Sequence, residues 1–222
     1  MLEKRIQFPK TAELGRIIPK KEIISRAGGG LALQKLFRLQ VERVRCAYEI
    51  TSGNVNLKSS LAVPKILIIQ IQANVEMVDM KILQAMDKAF HVPLIFEIHE
   101  DKSLYYTACY RRRSDADSPR WVLGEYFTSA ILASDSESEK MPQALSIEAL
   151  YEKLIMKLCP LRPVANEDIR DFVNRAENLQ KLEQKRGKLE KRIRKEKQFN
   201  RQVELNTELN TLKSEINVIK DL

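Results

Sequence analysis

The sequence contains few side chains suited to catalysis, and they are widely spaced. His91 and His99 are its two histidines, and His99 stands two residues after Glu97. Residues two apart on a β-strand point to the same face, and a carboxylate beside a histidine can bind a metal or transfer protons. Because no second cluster of this kind accompanies the pair, the favoured interpretation is a polar strand at the protein surface.

A metal-dependent nuclease with a restriction-enzyme-like core requires clustered carboxylates and a lysine. The sequence offers four weak catalytic candidates for such a site, which are Glu49, Asp79, Asp87 and Glu97. It has no GxSxG, Walker, Rossmann or zinc motif. Its three cysteines form no CxxC pair, which argues against a disulfide framework. We therefore expect no catalytic residue, no metal and no cofactor, with nuclease activity as the alternative hypothesis.

Two short motifs have a weak connection to phosphate. Gly28-Gly29-Gly30 precedes a predicted helix and could hold an anion there. It lacks the Lys-Ser/Thr of a P-loop, so a flexible joint is the favoured interpretation. Arg111-Arg112-Arg113 follows a tyrosine-rich strand, a combination that can serve single-stranded nucleic acid. The favoured interpretation here is that the arginines keep a sheet edge soluble.

The positive charge of the chain is concentrated in one segment. The net charge is +8, and ten basic and three acidic residues lie between Lys181 and Arg201. The rest of the chain holds 28 basic and 27 acidic residues, a balance of only +1. An acidic partner is expected for this segment, either nucleic acid, an acidic protein face or, less favoured, a membrane surface.

The basic residues of this segment are ordered along a predicted helix. One stripe with 4-3-4-3 spacing shares a helical face, and four further cations lie on the other flank. The stripe consists of Lys181, Lys185, Lys188, Arg192 and Lys195, and the flank consists of Arg186, Arg194, Lys197 and Arg201. Such a surface can follow the phosphates of nucleic acid, bind an acidic protein, or be the solvated face of a coiled coil.

An apolar ridge continues along the same segment and predicts helix packing. Its residues recur with 4-3-4-3 spacing, which is typical of a coiled coil. They are Leu205, Leu209, Leu212, Ile216 and Ile219. A single helix over residues 166–222 would extend roughly 85 Å, so we expect it to project, to pair with another helix, or to fold back as a helical hairpin. A change of heptad phase near residues 203–205 marks a stutter or the point of return.

The preceding residues predict a mixed α/β domain. Hydrophobic periodicity indicates helices over residues 31–41, 77–90 and 147–159 and strands over 44–50, 65–72, 93–100, 104–112 and 120–127. The strand–helix–strand run over residues 65–100 predicts a parallel crossover. Ser146 is predicted to be an N-cap, and the polar segment 134–143 is predicted to be a mobile loop. The predicted organisation is an extended N-terminal arm (1–30), a mixed α/β domain with flanking helices (31–163), and a basic C-terminal α-helical coiled coil (164–222).

Neither a membrane span nor a secretory signal is evident. The most apolar segment, residues 66–71, contains one glutamine and is far too short to cross a bilayer. The first residues, MLEKRIQFPK, lack the continuous apolar region of a signal peptide. We therefore expect a cytoplasmic protein without membrane contact.

Four stretches of the chain resemble a bacterial family catalogued as domain of unknown function 4391. They are PKTAELGRIIPKK, LFRLQVERVRCAYEIT, ILQAMDKAFHVPLIFEI and EKQFNRQVELNTELNTLKSEI. The resemblance implies a companion of helicases and DNA methyltransferases in restriction-type defence loci. It also implies acidic residues and a lysine on the strand at 65–74, where this chain has Lys65, Gln70 and Asn74. That departure argues against a nuclease site on this strand.

These observations favour a non-enzymatic accessory protein. In this hypothesis the coiled coil docks a protein partner, such as the helicase or methyltransferase that the resemblance implies, and its basic face lies near DNA or RNA. The two alternatives are a nuclease-like domain and a purely structural oligomeriser, in which the basic faces only keep a coiled coil soluble.

Overall fold

The computed structural model describes residues 2–113 and 121–221, and its contacts divide the chain into two compact units, Met1–Pro160 and Leu161–Leu222. The first unit contains β1 (Arg5–Gln7), a 3₁₀ turn (Lys10–Ala12), β2 (Glu13–Ile17), α1 (Lys20–Arg26), α2 (Leu31–Gln40), β3 (Val41–Thr51), α3 (Ser52–Val55), β4 (Lys65–Ala73), α4 (Met80–Ala89), β5 (Leu94–Glu100), β6 (Ser103–Arg113), β7 (Trp121–Thr128), β8 (Leu132–Ala133), β9 (Ser138–Lys140) and α5 (Ile147–Leu158). The second contains α6 (Ile169–Lys195) and α7 (Phe199–Asp221).

A mixed sheet forms the centre of the first unit. Its strand order is β2-β3-β4-β5-β6-β7, with β8 beside β6. β4 and β5 are parallel and joined by α4, whereas the other described neighbours in this sheet are antiparallel. The mixed α/β fold and its parallel crossover, both predicted from the sequence, are confirmed. Arg120, the first residue of one predicted strand, lies outside the described residues.

β4 is buried on both faces, which explains its nearly continuous apolar sequence. Leu67, Ile69 and Ile71 belong to the core shared with α1, α2 and α4. Ile66 and Ile68 alternate with them and are fully buried on the opposite face, where α5 contacts the sheet. Helices therefore cover both faces of this strand, and the residues between Lys65 at its start and Gln70 are all apolar.

Local capping sets the start of the two helices that pack on the sheet. The Asp79 side chain accepts a hydrogen bond from the Lys81 amide (2.9 Å) at the start of α4. Ser146 accepts one from the Ala149 amide (3.1 Å) at the start of α5, which confirms the predicted N-cap. Each cap satisfies an amide that has no partner within the helix.

Two segments of this unit differ from their sequence-based prediction. The arm over residues 1–30 contains the helix α1, because Ile23 and Ile24 are buried in the core beside α4 and packing stabilises a short helix. The predicted mobile loop at 134–143 contains β9, which pairs in parallel with β1. An ion pair between Lys4 Nζ and Glu137 Oε2 (2.6 Å) lies next to this pairing.

The second unit is a helical hairpin, so the single continuous helix considered from the sequence is wrong and the hairpin alternative is correct. α6 ends at Lys195, and Glu196 has extended backbone (φ −74°, ψ 133°). Three residues later α7 begins and contacts α6. The phase change near residues 203–205 therefore lies inside α7, past the actual turn. None of the described helices is long and apolar enough to cross a bilayer.

Candidate nucleic-acid interface

The turn of the hairpin is ordered by hydrogen bonds around Glu196. Its carboxylate accepts from the Lys197 and Gln198 amides (2.9 and 3.0 Å), and these bonds lower the pKa of Glu196. The Gln202 side chain donates to the Glu196 carbonyl (2.6 Å) from the first turn of α7. The chain thus reverses direction without glycine or proline, which is why the sequence gives no turn signal there.

This turn places the positive charge of the unit at one end of the hairpin. We define the hairpin tip as residues 188–201, the end of α6, the connection and the start of α7. The tip carries seven basic and two acidic residues, a net charge of +5. The rest of residues 161–222 carries eight basic and nine acidic residues, a net charge of −1. The hairpin therefore has a strongly positive tip on a nearly neutral stem.

Most cations of the tip are exposed and have no carboxylate partner. Six of them make no ion pair within the described part of the chain, and the seventh, Arg201, pairs with Glu204 on its own helix. The six are Lys188, Lys191, Arg192, Arg194, Lys195 and Lys197. Cations at the carboxyl end of α6 are also favoured by the helix dipole. Their charge is available to an anionic partner.

The basic residues predicted for binding divide into two groups. Lys188, Arg192 and Lys195 of the predicted stripe lie at the tip, together with the flank residues Arg194, Lys197 and Arg201. Lys181 and Lys185 lie on the stem, where Lys185 Nζ is 3.8 Å from Glu208 Oε1 of α7. The positive surface is thus shorter than the predicted stripe and lies around the turn.

Two exposed apolar side chains, one in the tip and one just beyond it, extend this surface. Phe199 is 76% exposed and Val203 50% exposed at the start of α7. An exposed aromatic ring among cations can stack on an unpaired base. Neither side chain is marked by the sequence pattern, because Val203 lies at the change of heptad phase and Phe199 belongs to no apolar repeat. Their exposure follows only from the position of the turn.

The apolar ridge predicted for partner binding lies mostly inside the hairpin. Four of its members, Leu205, Leu209, Leu212 and Ile216, are buried, and Ile219 is half-buried. An ion pair between Lys220 Nζ of α7 and Glu183 Oε1 of α6 (2.7 Å) also connects the two helices of the stem. A protein partner that used this ridge would have to compete with the packing that now buries it. Partner docking through these five residues stays a prediction.

The four carboxylates considered for a nuclease site are not brought together. Glu49 pairs with Lys65 (2.6 Å), Asp79 caps α4, and Glu97 Oε1 lies 2.5 Å from His99 Nε2. Asp87 is buried on α4. Within the described residues, no three His, Cys, Asp or Glu side chains are arranged to hold a metal ion.

Glu97 and His99 lie on one face of the sheet, as their spacing predicts. Gln70 of the neighbouring strand joins them: its Nε2 is 3.2 Å from Glu97 Oε1 and 2.9 Å from His99 Nε2. Both side chains are half-buried, with 13% and 20% of Glu97 and His99 exposed. The contacts satisfy the polar groups locally, and the cluster contains one carboxylate and no second acid.

Asp87 is part of a buried polar network. The Tyr126 hydroxyl and the Cys109 thiol (3.7 Å) both donate to its Oδ2. Burial raises the pKa of Asp87 from 3.8 to about 6, while the hydrogen bond from Tyr126 and the charge of Arg111 oppose this rise. Asp87 is 2% exposed and cannot reach a substrate, so its interactions are structural.

Asp87→Asn should remove a pH-dependent loss of stability. Because the folded pKa lies above the unfolded one, this carboxyl favours folding most below pH 4, and its contribution falls until about pH 6. A pKa difference of this size corresponds to about 3 kcal/mol in the free energy of unfolding. Urea unfolding at pH 4, 5, 6 and 7 should therefore show the variant gaining about 3 kcal/mol relative to wild type across this range. Exposed Asp135→Asn is the matched control, and parallel curves for Asp87→Asn and wild type would contradict the prediction.

Comparison with known proteins assigns the chain to a family. A family model described as Domain of unknown function (DUF4391) matches residues 6–216. No curated protein and no solved structure matches the chain.

Proposed function

The chain belongs to the DUF4391 family, and we propose from its surface that it is a non-enzymatic accessory protein that binds nucleic acid through the hairpin tip. The observation that carries the proposal is the net charge of +5 over residues 188–201 on a hairpin that is otherwise near neutral. A nucleic-acid backbone presents closely spaced phosphates, which clustered lysine and arginine side chains can neutralise.

The geometry of the tip supports contact with a strand rather than with a single anion. Six unpaired cations are distributed over the end of α6 and the connection. Lysine and arginine on successive helical turns can meet successive phosphates. Phe199 adds a ring that can stack on a base of a single strand.

The role of the stem in this proposal is to present the tip and to dock a protein partner. Its buried leucine and isoleucine ridge supports an antiparallel coiled-coil arrangement of α6 and α7. We further propose that the partner is a helicase or a DNA methyltransferase of a restriction-type defence complex. The resemblance of the sequence to its family supports this partner class, and a tagged pull-down with and without nuclease treatment tests it.

A nuclease-like domain and a structural oligomeriser are the competing functions. The order β3-β4-α4-β5, with one parallel pair, is compatible with a restriction-enzyme-like core. The dispersal of Glu49, Asp79, Asp87 and Glu97 argues against an assembled site in that core. Sedimentation of the full chain tests the oligomeriser, because that function needs no nucleic-acid binding at all.

Binding of wild-type protein to nucleic acid should depend strongly on salt. If the six unpaired cations meet about six phosphates, the logarithm of the affinity for duplex DNA falls with the logarithm of salt concentration with a slope of about −5. The affinity should then drop roughly 10³-fold between 50 and 200 mM salt. Fluorescence anisotropy with 20-nucleotide duplex DNA, single-stranded DNA and RNA measures this slope. Absence of salt-dependent binding to all three at 50 mM salt would refute the proposal.

A further inference from the structure

A second positively charged surface lies in the first unit, in the cleft between α1 and α2. The cleft is a cavity of about 800 Å³, a size that suits a small-molecule ligand. Lys20, Lys21, Lys35 and Arg38 line it, and no acidic residue is found among its described lining residues. The four cations come from both helices, so the fold brings them together.

Three of these cations have no counter-charge. Lys20 Nζ donates to the Val41 carbonyl (2.8 Å), which fixes the position of this side chain. Lys21, Lys35 and Arg38 are exposed and make no ion pair within the described residues. The nearby carboxylate of α1, Glu22, is occupied by Arg26 (2.6 Å). Like charges held together without a partner raise the local positive potential, which favours an anion in the cleft.

The glycines between the two helices form an ordered turn that shapes this cleft. Gly28 has φ +65°, and the Gly29 amide donates to the Ile24 carbonyl (2.9 Å), which closes α1 with a Schellman-type bond. A Cβ on Gly29 would lie 2.3 Å from Leu33 Cδ2, so a larger residue there would require the Leu33 side chain to shift. Gly30 gives α2 no capping side chain. The first amides of α2 are therefore left without a side-chain cap beside the cationic cluster.

The cleft also has an apolar wall. Ile24, Leu31 and Phe37 line it, and Leu31 is 83% exposed. An exposed leucine beside unpaired cations matches a ligand with a flat apolar part and an anionic part. Nucleotides have this combination, with a base and a phosphate chain a few ångströms apart.

We propose that the α1–α2 cleft binds a phosphate-bearing ligand of the nucleotide class. The phosphates lie at Lys21, Lys35 and Arg38, and the base packs on Leu31 and Ile24. The ligand is either a free nucleotide or a nucleotide within a strand, since both present the same groups. This site uses only the first unit and stands or falls independently of the hairpin tip.

Three probes and two double variants of the full chain test the site. Anisotropy at 50 mM salt follows a fluorescent ATP analogue and a labelled single-stranded tetranucleotide, and inorganic pyrophosphate competes with each. Wild type should bind at least one labelled probe saturably. Lys35→Glu/Arg38→Glu should weaken that binding at least tenfold, whereas Lys35→Arg/Arg38→Lys should retain it.

The pattern of results identifies the ligand or overturns the site. Binding of the ATP analogue identifies the ligand as a free nucleotide. Binding of the tetranucleotide alone identifies it as a nucleotide within a strand. Because the hairpin tip is itself proposed to bind single strands, each cleft variant is also compared with its parent in a Lys191→Glu/Arg194→Glu background, where a loss caused by Lys35→Glu/Arg38→Glu is assigned to the cleft alone. No saturable binding of either labelled probe by wild type, or equal binding by wild type and Lys35→Glu/Arg38→Glu, would overturn the proposal.

Discussion

Lys191→Glu/Arg194→Glu should weaken binding of a 20-nucleotide duplex on the order of 100-fold at 50 mM salt, because two phosphate contacts are lost. Each lost contact should also lower the slope of the salt dependence by about one. Both side chains are exposed at the end of α6 and have no ion pair within the described residues. Their reversal should therefore leave the fold intact and change the tip from +5 to +1. Anisotropy titrations at several salt concentrations measure both the affinity and the slope.

The matched control separates a local surface from the net charge of the protein. Lys181→Glu/Lys213→Glu changes the total charge by the same amount at exposed positions on the stem. We expect this variant to bind within about threefold of wild type, because screening over about 10 Å limits the effect of distant charges. If both double variants lose affinity equally, the nucleic-acid surface is the long predicted stripe or the whole hairpin, and the tip proposal is wrong.

The sequence predicts the central sheet well because burial there follows local patterns. β4 has a run of β-branched residues, and α4 has apolar residues with helical spacing. Each pattern records which faces of the strand or helix are buried, so it can be recognised from the spacing of the apolar residues alone. The short elements β1, β9 and α1 lack such a pattern. They form because distant segments pair with them, and spacing along the chain does not record this.

The candidate surfaces are only partly visible in the sequence. The density of cations between Lys181 and Arg201 predicts a basic helical segment, and the tip lies within it. The turn at 196–198 has no glycine or proline, so its position, and with it the exposure of Phe199, depends on packing between α6 and α7. The total charge conceals the cations of the α1–α2 cleft. Residues 1–50 carry eleven basic and five acidic residues, a net +6, which the −2 of residues 51–160 and the −3 of the hairpin outside residues 181–201 reduce to +1.

Arg111 shows how a charged residue can be misjudged from sequence. It ends a predicted strand in a run of three arginines, which favoured a solvated edge or a contact with nucleic acid. The structure corrects this: Arg111 is 5% exposed, and its Nη1 donates to the carbonyls of Asp87 (3.3 Å), Phe90 (2.6 Å) and Val92 (2.9 Å). These carbonyls belong to the end of α4 and the link to β5. The side chain of Arg113 lies outside the described residues.

Arg111→Met should lower the free energy of unfolding by about 3–5 kcal/mol, because it leaves buried carbonyl groups without a donor. The loss includes the contact of the guanidinium with the Trp121 ring, whose centroid lies 4.8 Å from Arg111 Cζ. It also removes a cation from the carboxyl end of α4, where the helix dipole favours positive charge. Burial lowers the pKa of Arg111, and the charge of Asp87 opposes this lowering. Thermal unfolding should show a fall in Tm of roughly 10 °C.

The same substitution at an exposed arginine is the control for this prediction. Arg43 lies exposed on β3, and Arg43→Met should change the free energy of unfolding by no more than about 0.5 kcal/mol. Chemical denaturation of both variants at pH 7 gives the comparison, with the denaturant dependence checked for a common two-state transition. If Arg111→Met unfolds within about 1 kcal/mol of Arg43→Met, water or a shifted backbone satisfies the carbonyls. In that case the hydrogen bonds from Arg111 do not stabilise the link between α4 and β5.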